Sequence, residues 1–214
     1  MRVLLAMVIC GVTPGWAVAQ IAPATLPAND TTIAMGWAGS DHAMHDQRRW
    51  HGSLLVGLSG GHYWTDHLKT EVDGSWNSTR KRDIYETIER QGGYTFALSD
   101  YLAHDIRVGV VQLYQFGRNE WVHPYVGVGA DVVRRDAWLE RLPQSRTVFL
   151  QSRNIPVDIP AARERKTTVF AHAVFKTGLK MYATEKAFFN TELKFGVRRD
   201  VDHLVWKIGV GVDF

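Results

Sequence analysis

The last eleven residues, "LVWKIGVGVDF", alternate with a period of two. Leu204, Trp206, Ile208, Val210, Val212 and Phe214 share one parity, and Lys207, Gly209, Gly211 and Asp213 share the other. Side chains of a β-strand point to opposite faces in turn, so this stretch predicts a strand with one apolar face and one small or charged face. The pattern recurs. In "VHPYVGVGADVV", Val122, Pro124, Val126, Val128, Ala130 and Val132 oppose His123, Tyr125, Gly127, Gly129 and Asp131. Phe175, Leu179 and Met181 oppose His172, Lys176, Gly178 and Lys180. Phe189, Leu193, Phe195 and Val197 oppose Glu192, Lys194, Gly196 and Arg198.

The spacing predicts an all-β chain of about eight strands, near 52–64, 67–78, 82–98, 104–116, 121–134, 167–182, 186–199 and 203–214. Leu55 is a misfit on its face. Strands this regular, with no helical pattern between them, close on themselves or form a sandwich. No segment approaches the ~20 consecutive apolar residues of a spanning helix, so a membrane reading requires a closed barrel.

The N-terminus reads as an export signal. Arg2 precedes an apolar run from Val3 to Val12, and Ala17-Val18-Ala19 suits cleavage after Ala19. Residues 1–19 are therefore expected to be removed, and Cys10, the one cysteine, with them. No disulfide framework or cysteine metal site follows. Residues 20–50 hold Pro23, Pro27, Asn29 and Asp30 and read as an irregular periplasmic lead-in. His42 and His45 in "DHAMHD" lack a third ligand, so neither a metal site nor a cofactor is expected. A net charge of +3 without strong clustering argues against nucleic acid.

Three features place the polar face inside a transmembrane barrel. Glycine alternates with charge on that face. Aromatics (Phe116, Trp121, Tyr182, Phe188) gather at strand ends, as at a membrane interface. "GRNE" and "ATEK" read as tight turns, whereas 134–166 is a long connection. Short turns on one side and long loops on the other are the outer-membrane pattern.

On these residues, "HPYVGVGADV", "GLKMYATEKAFFNTELKFGV" and "WKIGVGVDF", the chain resembles the small outer-membrane β-barrels of the OmpA, OmpX and OmpW kind. The resemblance implies an antiparallel up-and-down transmembrane barrel over 51–214, with both ends periplasmic and 134–166 extracellular. It also implies that Phe214, with Trp206, is read by the barrel-assembly machinery.

The lumen face then carries Arg107, His123, Asp131, His172, Lys176, Lys180, Glu192, Lys194, Arg198, Lys207 and Asp213. Buried charges need partners, so a salt-bridge network is expected. The basic excess of this set makes an anion the natural guest. The long loop carries Arg134, Arg135, Arg141, Arg146, Arg153, Arg163, Arg165 and Lys166. Arginine forks suit phosphate, and lipopolysaccharide or another anionic partner is the expected contact.

No Ser-His-acid set is apparent, and His172 is followed by Ala173 and Val174 rather than by a serine. No catalysis is expected. The expected role is structural or interactive, in a monomer with a largely filled lumen. The alternatives are a narrow OmpW-like channel, a lipid-modifying enzyme, and a soluble periplasmic lipocalin-like binding protein.

Overall fold

A computed structural model describes residues 28–44, 47–90, 93–116, 121–150, 153–198 and 201–214. The expected signal peptide lies outside them, as do residues 20–27, His45 and the "GRNE" segment. The strands are β1 (Asn29–Met44), β2 (Gln47–Tyr63), β3 (Leu68–Arg90), β4 (Gly93–Gln115), β5 (Val122–Arg141), β6 (Gln144–Leu150), β7 (Arg153–Ile159), β8 (Ala162–Tyr182), β9 (Ala187–Val197) and β10 (Val201–Asp213).

Eight of these form a closed antiparallel barrel in the order β1-β10-β9-β8-β5-β4-β3-β2, and β6 and β7 form a separate hairpin. Closure is made by β1 against β10, from Asp30↔Asp213 to Ser40↔His203. At the seam, the Asn29 amide donates to the Phe214 carbonyl at 3.0 Å and the Phe214 amide returns a bond at 2.9 Å. The barrel's two chain ends therefore lie side by side, at the same end as the β2–β3 and β8–β9 turns. In the second turn, Ala183 and Thr184 amides donate to the Ala187 carbonyl, and the Thr184 hydroxyl accepts from the Ala187 amide at 2.9 Å.

The strands are unequal. A tilted strand crosses a bilayer in about 9–11 residues. β3 and β4 each run 23 residues, β5 20 and β8 21. They rise well past β9 and β10, of 11 and 13 residues, and exceed β1 and β2, of 16 and 17 residues. β4 pairs with β5 only from Ser99↔Arg141 downward, which leaves Leu98 without a β5 partner. The Gln144 side chain takes that place: its Oε1 accepts from the Leu98 amide at 3.0 Å and its Nε2 donates to the Leu98 carbonyl at 2.5 Å. A side-chain amide thus anchors the β6–β7 hairpin to the open edge.

Outward residues are apolar along the lower part of the wall. On β5 Val122, Val128 and Val132 are exposed, as are Tyr114, Val110, Val108 and Ile106 on β4, where Gln112 interrupts the run and accepts from the Thr70 hydroxyl at 2.7 Å. This band is the polarity that hydrocarbon, not water, solvates. Aromatics edge it on both sides. Trp64, Phe116, Trp121 and Phe214 are exposed at the turn end, and Trp37, Trp76 and Trp206 at the opposite edge. Trp37 and Trp206 face each other across the β1–β10 seam. The inward misfit Leu55 is buried and packs with Ala38 and Val205.

Three expectations are corrected. Residues 29–44 are not an irregular lead-in but the closing strand β1, and β2 begins at Gln47 rather than near 52. The three middle segments near 67–78, 82–98 and 104–116 are two long strands, β3 and β4. The connection 134–166 is not one loop: 134–141 continue β5, 144–159 hold the hairpin, and 162–166 begin β8.

Candidate functional site

Alternation sends every second side chain of each strand into a narrow interior, and hydrocarbon outside leaves ionic groups no other place. Among the described residues, Lys69, Arg107, Lys176, Lys180, Lys194 and Lys207 are buried there with Asp30, Glu71, Asp73, Asp105, Asp131, Glu192 and Asp213. These groups form a continuous chain of alternating sign. It begins near the seam, where Asp213 meets Lys180 at 2.6 Å and Lys180 meets Asp30 at 3.2 Å. Asp30 meets Lys69 at 2.7 Å, and Lys69 meets Glu71 at 2.8 Å. Lys176 lies between Glu71 and Glu192, 2.5 Å from the latter. Lys207 continues from Glu192 at 2.8 Å to Asp73 at 3.6 Å. Lys194 joins Asp73 at 2.9 Å to Asp131 at 2.7 Å.

Six of the eight strands contribute to this chain, many of them across the lumen rather than along the wall. Lys176 is fully buried at 0 % exposure. Tyr63 donates to Asp30 at 3.0 Å and accepts from Lys180 at 2.9 Å, and Tyr182 donates to Asp213. The cavity left between Asp30, Tyr63, Lys69, Tyr125 and Phe188 is about 10 Å³.

A second cluster joins the two remaining strands. Arg107 of β4 donates to Asn77 at 2.6 Å and to Asp105 at 3.0 Å. Asn77 donates to Ser53 of β2 at 2.7 Å. Arg135 of β5 closes on Asp105 as a fork, at 2.7 and 2.8 Å.

Glycine makes room for these groups where backbone and carboxylate approach closely. Gly109 pairs with Asp131, and a Cβ there would run into the Asp131 carboxylate and lie 2.8 Å from Asp73. Gly178, paired with Tyr125, lies under the Tyr125 ring.

Of the residues expected in the lumen, His123, His172, Asp131, Glu192, Asp213, Arg107 and the four lysines Lys176, Lys180, Lys194 and Lys207 are all buried. His172 pairs with Asp131 and lies 6.0 Å, ring to ring, from His203. Arg198 is an exception. It lies past the end of β9, exposed, with its guanidinium over Phe170. The expected basic excess does not hold either, because Asp30, Glu71, Asp73 and Asp105 balance the cations. Their signal was present in "LKTEVDGSWNS", where Lys69, Glu71, Asp73 and Asn77 share one parity and Val72 and Trp76 the other.

The expected arginine loop does not gather in one place. Arg135 points inward. Arg141 donates to the Pro160 carbonyl at 3.2 Å. Arg146 lines a cleft of about 600 Å³ with Arg80, Leu98, Asp100, Glu140 and Gln144. Arg163 and Lys166 are exposed on β8, and the side chain of Arg153 is outside the described set. Arg134 and Arg165 converge: both reach Asp136, at 3.3 and 3.4 Å, and Thr167 donates to the same carboxylate at 2.6 Å. Arg165 also covers the Trp138 ring at 5.3 Å.

Comparison with known proteins agrees with this architecture. No curated protein matches the sequence. Among solved structures, the chain is similar to the outer membrane protein OprG of Pseudomonas aeruginosa, with a TM-score of 0.52 at 15 % identity over 88 % of this chain and 97 % of that one. It is similar to Neisserial surface protein A, with a TM-score of 0.49 at 15 % identity over 87 % and 96 %. Ail, the attachment invasion locus protein of Yersinia pestis, gives 0.46 at 17 % identity over 87 % and 99 %. The family model described as the outer membrane protein beta-barrel domain matches residues 4–214, and the chain belongs to that family of outer-membrane β-barrels.

Proposed function

We propose that this protein is a structural or surface-interaction barrel whose lumen is filled, rather than a channel. The observation that carries the reading is the alternating ion chain from Asp213 to Asp131. An eight-strand barrel has an interior just wide enough for side chains. Here those side chains meet across it, and the cavity of about 10 Å³ is at the lower limit for one water. On this reading a hydrated solute would have to part several of these buried pairs to pass, and leaving one partner of such a pair uncompensated costs about 3–5 kcal/mol.

The sheet of β3, β4, β5 and β8 beyond the apolar band supports an interaction role. With both barrel termini in the periplasm, it stands outside the cell and carries the β6–β7 hairpin and the cleft beside it. Phe214, exposed just past β10, is the residue we assign to recognition by the assembly machinery. A lipid-modifying enzyme has less support, since His172 is buried in the lumen beside His203, away from the lipid face.

Reconstitution into liposomes tests this reading. No swelling in arabinose or other small neutral sugars is the expected result. Swelling at porin-like rates would instead favour the OmpW-like channel.

A further inference from the structure

The outward wall carries a second polar feature that the lumen does not use. On β5 the apolar residues stop at Val132, and the next outward positions are Arg134, Asp136 and Trp138. On β8 they stop at Val169, followed by Thr167 and Arg165. The register pairs Arg134 with Val169, Asp136 with Thr167 and Trp138 with Arg165. Val122 to Val132 spans about the length of strand that crosses a bilayer, so the cluster stands at the level of the lipid headgroups.

The cluster is ordered rather than loose. Asp136 Oδ1 accepts from Thr167 and Arg165, and its Oδ2 faces Arg134 Nε. The Arg165 guanidinium lies on Trp138. Trp138 meets His104 edge-on at 5.2 Å, and His104 stacks on Trp76 at 6.0 Å. This ladder runs across four strands. The two arginine side chains remain 57 % and 60 % exposed, and each uses only part of its fork on Asp136. Two guanidiniums held by one carboxylate present free N–H groups and a net positive charge to the headgroup layer, a geometry that suits a phosphate better than a point cation does.

We infer that Arg134 and Arg165 form a clamp for the phosphate monoester of an outer-leaflet glycolipid, with Asp136 orienting both forks and the Trp76–His104–Trp138 ladder flanking it. A dianionic monoester engages both forks, whereas the singly charged diester of a phospholipid gains less against the nearby Asp136 carboxylate. The inference rests on the outward orientation proposed above only for its source of lipid.

The test is titration of the full chain, folded in neutral detergent micelles, with diphosphoryl lipid A. Micelles have no sidedness, so the outcome reports on the clamp and not on orientation. Binding that falls at least tenfold in Arg134→Ala/Arg165→Ala is expected, with Arg146→Ala unchanged. The Arg134→Lys/Arg165→Lys pair, which keeps charge but loses the forks, is expected to bind between the two and serves where the alanine pair does not fold. Asp136→Asn, which keeps an amide oxygen to orient the forks and removes the like charge facing the phosphate, is expected to bind severalfold more tightly, which a merely structural role for the cluster does not produce. Unchanged lipid A binding in the lysine and alanine pairs overturns the clamp. Equal binding of phosphatidylglycerol overturns the monoester assignment, and equal competition by free inorganic phosphate overturns the lipid source.

Discussion

Lys194 on β9 and Asp73 on β3 meet at 2.9 Å, although their strands stand four places apart in a ring of eight. The contact spans the barrel from one wall to the opposite one. It is possible because both side chains are on the inward parity and because Gly109, beside Asp73, carries no Cβ.

Lys194→Met keeps the length of the side chain and removes its charge. It leaves Asp73 with only the longer Lys207 contact at 3.6 Å and removes the Lys194 contact from Asp131. A loss of about 3–5 kcal/mol is expected, as for one partner taken from a buried pair. Urea unfolding in lipid vesicles measures it. Adding Asp73→Asn to the same chain is expected to recover part of the loss, because the uncompensated charge is then gone.

Gly109→Val places a branched side chain where the Asp131 carboxylate lies. Overpacking of this kind costs about 1–3 kcal/mol. The expected signature is a barrel that still shifts on unheated gels but unfolds at lower urea. Gly60→Ala is the matched control, because a Cβ there meets only the Asp30 carbonyl at 3.8 Å.

Gln144→Ala removes both bonds to Leu98. The hairpin then loses this hydrogen-bonded tie to β4 and keeps the packing that buries Val157 and Ile159, while the barrel keeps its own bonds. Hydrogen exchange at the Leu98 amide is expected to speed up strongly. Global stability is expected to change by no more than about 1–3 kcal/mol, the effect of a pair of ordinary hydrogen bonds.

The Thr167 hydroxyl, with the Arg165 and Arg134 guanidiniums, holds the Asp136 carboxyl below the ordinary aspartate range. A depressed folded-state value means that the carboxylate's contribution to order is present above the unfolded value. It is lost as pH falls through the folded one. Thr167→Val is expected to move the titration of Asp136 upward toward the ordinary range, read by carboxyl carbon shifts in a labelled sample.

The sequence shows its pattern where the two faces meet different solvents. Val122–Val132 and Phe189–Val197 alternate cleanly because one side touches lipid and the other the lumen, and β5, β8, β9 and β10 were legible from that contrast. Beyond the band the outer face leaves lipid, while the inner face of β4 stays buried but carries small or polar residues such as Thr95, Ala97, Ser99 and Ala103, so the two faces contrast little in sequence. That is why the upper halves of β3 and β4 read as separate segments, and why Arg135, which points inward at Asp105, was grouped with Arg134, which points out. β1 was hidden differently. Its inward side holds Thr32, Ala34 and Gly36, too small to contrast with Ile33 and Met35, and Pro23 and Pro27 precede it. Without β1, and with the inward carboxylates of the strand expected near 67–78 left out of the lumen set, Asp30, Glu71 and Asp73 were missing, and the interior looked basic when its charges are balanced.

The central claim is that ionic residues fill the inside of this barrel while lipid bathes the outside up to Val132. Spin labels at successive single cysteines along β5, from Val122 to Glu140, test it directly when the refolded protein is in bilayers. Oxygen accessibility is expected to peak at every even position from Val122 to Val132. It then gives way from Arg134 onward to accessibility to a water-soluble reagent, and the odd positions from His123 to Val133 stay shielded from both. Peaks at the odd positions, or the water-soluble reagent reaching residues 123 to 131, would contradict it.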